Sequence, residues 1–104
     1  MKKYRIKIAP EALSDIREIK YWYDSQKIDL GKTFKDTVIK QINDLTENPQ
    51  IFAIRYEEIR CMLVRKFPYT VHFYINQKIS IVEVLAVIST DRNPKIWEEK
   101  TNRV

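Results

Sequence analysis

Tyr69-Thr70-Val71-His72-Phe73-Tyr74-Ile75-Asn76-Gln77-Lys78-Ile79-Ser80-Ile81-Val82-Glu83-Val84-Leu85-Ala86-Val87-Ile88 decides the architecture of this chain. Tyr69, Val71, Phe73 and Ile75 alternate with Thr70, His72 and Tyr74, a period of two that predicts a half-buried strand with His72 off its core face. Asn76-Gln77-Lys78 is a turn, and Ile79 to Ile88 predicts the longest strand, so the two form a hairpin. In the last strand Val82, Val84, Ala86 and Ile88 make one uniformly apolar face. Ile81, Glu83, Leu85 and Val87 make the other, apolar but for one charge. Such a strand is expected to be covered on both sides, by helices on one and by a partner on the other.

Working outward, Arg60-Cys61-Met62-Leu63-Val64-Arg65 is a further apolar run, separated from Tyr69 by a Phe67-Pro68 break. Upstream the period changes. Ala12, Ile16, Ile19 and Tyr23 form one helical stripe, entered through Pro10, with Glu11 and Asp15 near its positive end. Phe34, Val38, Ile42 and Leu45 form a second stripe, which Asp29 can cap and Asn48-Pro49 can end. A short polar link between them predicts an antiparallel helical hairpin. Tyr4, Ile6 and Ile8 alternate with Lys3, Arg5 and Lys7, a strand whose basic face suits a protected sheet edge. Asn93 to Lys100 predicts a short closing helix. The order β-α-α-β-β-β(-α) describes one α+β domain over 1–104, with an N-terminal helical hairpin packed on a twisted antiparallel sheet.

Composition narrows the chemistry. With one glycine in 104 residues, no glycine-rich phosphate loop can form. One cysteine, Cys61, and one histidine, His72, make neither a disulfide nor a four-ligand zinc site, so neither metal nor cofactor is expected. Charges recur at every second position of the N-terminus, which argues against a secretory signal and makes the cytoplasm the expected compartment. The net charge of +5 suits a nucleic acid, an acidic protein or plain solubility equally well.

Four stretches, in order and at matching spacing, resemble the RelE/ParE toxin superfamily. They are Ala9-Pro10-Glu11-Ala12-Leu13-Ser14-Asp15-Ile16 with Tyr21-Trp22-Tyr23, then Leu45-Thr46-Glu47-Asn48-Pro49, then Ile59 to Val71, and finally Val87 to Pro94 with Trp97. The resemblance implies the toxin of a bacterial type II toxin–antitoxin (plasmid stabilisation) system, neutralised by a cognate antitoxin. ParE-like members block DNA gyrase, whereas RelE-like members are ribosome-dependent mRNA endoribonucleases. A non-toxic interaction module on the same fold is a third reading. Many relatives carry a His shortly before the closing Arg; here Ile88-Ser89-Thr90 stands there, so that role is not carried over.

Metal-free RNA cleavage needs a base, an acid and cations on the phosphate. The candidate catalytic groups, were the chain a nuclease, are Arg60, Arg65, Arg92 and His72, with Tyr69 and Tyr74 as further proton carriers. Glu57 and Glu58 beside Arg60 would repel RNA, which favours the ParE-like branch. Arg60, Arg65, Lys66, Arg92 and Trp97 are the expected target contacts. Tyr21, Trp22, Leu85 and Val87 are the expected antitoxin contacts, a basic surface suiting an acidic or amphipathic tail.

Overall fold

The computed structural model describes residues 3–91. Its elements are β1 (Arg5–Ile8), α1 (Pro10–Gln26), α2 (Leu30–Asp44), a 3-10 turn (Pro49–Ile51), β2 (Ile54–Tyr56), β3 (Ile59–Leu63), β4 (Tyr69–Asn76) and β5 (Ile81–Ser89). The closing helix expected over Asn93 to Lys100 lies outside the described residues.

The two helices pack on a five-stranded sheet of order β1-β5-β4-β3-β2. Four strands are antiparallel, but β1 joins β5 in parallel, with Arg5 opposite Ile81 and Ile8 opposite Val84. The sheet is therefore mixed, where an antiparallel one was expected. β2 enters the sheet antiparallel to β1, and the three reversals of the β2-to-β5 meander bring β5 back to the direction of β1. β1 is an edge strand, and its exposed Lys3, Arg5 and Lys7 fit the expected protection of that edge.

β2 was not foreseen as a strand. Tyr56 pairs with Ile59 across Glu57 and Glu58, which take φ of 42° and 66°. Two left-handed residues give the twist that a two-residue hairpin needs, here achieved without glycine or asparagine. This explains why the sequence pattern concealed the turn.

The helical layer follows the stripes. Ala12, Ile16 and Tyr23 of α1 and Phe34, Val38 and Ile42 of α2 are buried against Met62, Val71, Phe73, Ile75, Val82, Val84 and Val87. Tyr23, Phe34, Phe67 and Tyr69 form an aromatic cluster with ring centroids 5.1 to 6.3 Å apart. Pro10 opens α1, and Asn48 adopts the left-handed conformation before Pro49. Asp29 does not cap α2 through its side chain; it sits at φ 66° and its carbonyl receives the Thr33 N–H instead.

A bulge in β5 corrects the face assignment. His72 pairs with Ala86 and Phe73 with Val84, so Leu85 is the extra residue. Beyond it the alternation inverts. Val82, Val84 and Val87 share the helix-covered core, while Ala86 and Ile88 lie opposite His72 and Thr70 on the second face. That second face is not left open at its centre: Ile59, His72, Ala86 and Ile88 are all buried within the chain alone. Only its rim is accessible, chiefly at Leu63.

Candidate functional site

The middle of the second sheet face carries a polar cluster drawn from three adjacent strands. His72 on β4 is fully buried. Its Nδ1 lies 2.9 Å from the Tyr56 hydroxyl and its Nε2 2.9 Å from Thr70 Oγ1. Thr70 donates its single proton to the Ile88 carbonyl at 3.2 Å, so it accepts from Nε2–H and leaves Nδ1 to accept from Tyr56. Cys61, opposite His72 on β3, brings Sγ to 3.4 Å from Nδ1. Burial pushes the Cys61 thiol up to about 11, only weakly opposed by the charge of Arg55, so the thiol is protonated at neutral pH. His72 was expected as a half-exposed strand residue; the neighbouring strands and the bulge enclose it instead.

Among the described cations expected to gather on a phosphate, Arg60 is engaged by backbone carbonyls, whereas Arg65 and Lys66 are exposed. Arg60 projects from β3 toward the 3-10 turn, where one guanidinium nitrogen donates to Phe52 O at 2.6 Å and Gln50 O at 3.2 Å. It holds that connection to the sheet. Glu57 and Glu58 occupy the exposed hairpin tip, and Glu83 faces Lys7 at 3.8 Å. Arg65 and Lys66 are exposed on the break between β3 and β4, Lys66 at φ 69°. Gln41 of α2 fastens this break from both directions: its Oε1 accepts Arg65 N–H at 2.8 Å and its Nε2 donates to Leu63 O at 3.0 Å. Tyr69 packs edge-on into the aromatic cluster, and Tyr74 is half-buried beside Glu83. Arg92 and Trp97 lie outside the described residues.

Of the residues expected to meet an antitoxin, Tyr21 and Trp22 are 66% and 56% exposed at the end of α1. Nearby, Ile28 in the link to α2 is 86% exposed, a site the periodicity did not single out because it falls between the stripes. Leu85 and Val87 are buried. The bulge turns Val87 into the core, so neither side chain is offered on the second face as expected.

Sequence reasoning also missed Asp15. It was read as a charge near the positive end of α1, yet it is buried, with Oδ2 accepting the Val87 N–H at 3.0 Å. A carboxylate one position from the buried stripe residue Ile16 was the available signal. Among the described residues, no cluster of three or more His, Cys, Asp or Glu could hold a metal, and no helix is long and apolar enough to cross a membrane.

The family model described as the ParE toxin of type II toxin–antitoxin system, parDE, matches residues 6–94. No curated protein matches the chain. Among solved structures, the chromosomal ParDE toxin–antitoxin system of P. aeruginosa is similar, with TM-score 0.73 and 15% identity over 86% of this chain and 98% of that one. A doubly substituted E. coli RelE toxin in the free state aligns with TM-score 0.72 and 18% identity, covering 98% of both chains. The intact E. coli RelBE toxin–antitoxin complex aligns with TM-score 0.65 and 18% identity over 86% of this chain and 99% of that one. At such identities these likenesses establish the fold. The family match over most of the length carries the assignment further: this chain belongs to the ParE toxin family of type II toxin–antitoxin systems.

Proposed function

We propose that the protein is held silent by a cognate antitoxin and, when released, inhibits DNA gyrase by binding, without cutting nucleic acid. The carrying observation is the state of its one histidine. His72 is buried and hydrogen-bonded at both ring nitrogens, so it does not present an imidazole to a substrate hydroxyl. Arg60 is occupied by backbone carbonyls, and the Cys61 thiol is protonated. The match to the ParE model supports the same branch. Arg65 and Lys66, exposed on the β3–β4 break, are target-contact candidates together with Arg92 and Trp97. Tyr21 and Trp22 are the antitoxin-contact candidates that remain accessible.

The test is induced expression without the antitoxin, with supercoiling by purified gyrase and cleavage of translated mRNA measured side by side. The expected result is loss of supercoiling with intact mRNA. His72→Phe should retain inhibition per folded molecule, since the ring serves packing. Cleavage of mRNA at the ribosome that disappears in His72→Phe would refute this reading in favour of a RelE-like nuclease.

A further inference from the structure

We propose that Asp15 is a positioning residue that fixes the end of β5, from Val87 to Asp91, from which the sequence runs on to Arg92. The proposal rests on the reading that this segment contacts the target. β1 accompanies β5 only as far as Val84; Ala9 N–H bonds Val84 O, and the chain then turns into α1. From Leu85 onward β5 therefore has no β1 beside its outer edge. The bulge at Leu85 falls at the same place and inverts the faces of all that follows. Bulges of this kind re-aim side chains near functional sites.

An amide on such an edge, enclosed under a helix, needs an acceptor. Asp15 Oδ2 supplies it to Val87 at 3.0 Å, through a buried bond that joins residues 72 positions apart. Loss of this buried bond would leave the Val87 amide without its acceptor. Two further bonds set the exit: Thr90 N–H to Pro68 O at 2.9 Å and Asp91 N–H to Ser89 Oγ at 3.2 Å. A cavity of about 130 Å³, lined by Asp15, Glu18, Ile19, Tyr69 and Ser89 among others, opens beside the anchored strand. The carboxylate fixes where the strand end lies.

The test compares Asp15→Ala with Asp15→Asn, each produced with the antitoxin and then freed from it. Asn keeps an oxygen acceptor and should behave close to wild type. In Asp15→Ala, amide exchange from Val87 to Thr90 should accelerate by about tenfold or more, with Tyr69 to Asn76 and Ile81 to Val84 unchanged. Gyrase inhibition should fall by at least about tenfold while antitoxin binding persists. In an Arg92→Ala background the Ala change should add no further loss of inhibition. Wild-type inhibition by folded Asp15→Ala would overturn the proposal, as would exchange that rises uniformly across the sheet. Full inhibition by Arg92→Ala alone would instead overturn the role of the segment, and the exchange pattern would still decide whether Asp15 anchors it.

Discussion

Gly31→Ala should loosen the helical hairpin, against what helix propensity alone would suggest. Gly31 is the second residue of α2, and its N–H donates to Asp24 Oδ1 at 2.9 Å. Lys20 Nζ holds the other Asp24 oxygen at 2.8 Å, and these contacts, the lysine bond first, keep the Asp24 carboxyl below the usual carboxylate range. A Cβ on residue 31 would stand 2.6 Å from Asp24 Cγ, and closer still to Asp24 Oδ1 and to the Lys20 carbonyl oxygen. The aspartate can rotate away, but the carbonyl belongs to the α1 backbone and yields only if the helices separate. Overpacking of this kind costs about 1–3 kcal/mol, and the bond from Gly31 N–H to Asp24 is strained besides. Alanine returns about 1 kcal/mol through propensity. The net loss is roughly 1–2 kcal/mol, which lowers Tm by about 5–10 °C in a domain of this size. Thermal melts followed by circular dichroism measure it, with the exposed Lys35→Ala as a control expected to move stability by less than about 0.5 kcal/mol. A Gly31→Ala protein that melts at or above the wild-type temperature would refute the close-approach argument.

Two further outcomes follow from exposure and burial. Tyr21→Ala and Trp22→Ala, on exposed side chains, should leave stability within about 0.5 kcal/mol of wild type while weakening the antitoxin complex about tenfold or more, as titration calorimetry would record. Val87→Ala should do the reverse, costing roughly 1–3 kcal/mol of stability with antitoxin affinity per folded molecule unchanged. The Cys61 thiol, with burial raising it to about 11, should resist alkylation at pH 8 and react as pH climbs through 10 and 11, whereas the unfolded chain reacts readily near pH 9. Equal rates for folded and unfolded protein at pH 8 would contradict the enclosed thiol. Because its folded value is raised, the same group withdraws stability only above about pH 9, as the unfolded thiol begins to ionise.

Local periodicity was enough for the helical hairpin, since one stripe of apolar residues at helical spacing suffices to bury a helix on a sheet. The second helix ends at Asp44, four residues before the expected Asn48-Pro49 stop, and left-handed Asn48 opens the 3-10 turn instead. Lys3, Arg5 and Lys7 marked β1 as an edge, because charge on alternate positions is tolerated only where solvent reaches. The fate of Glu57 and Glu58 was hidden, because left-handed φ at glutamate is imposed by strand pairing and not by the residue type.

The strands other than β2, the α+β class and the resemblance to RelE/ParE toxins were thus determined by the sequence alone, through patterns that each segment carries within itself. Tertiary structure alone decided that β1 lies parallel to β5, that Leu85 bulges, and that His72, Asp15 and Val87 are interior residues. The reason is physical. A period of two specifies a strand but not its register, and one extra residue in the ladder sends every later side chain to the opposite face.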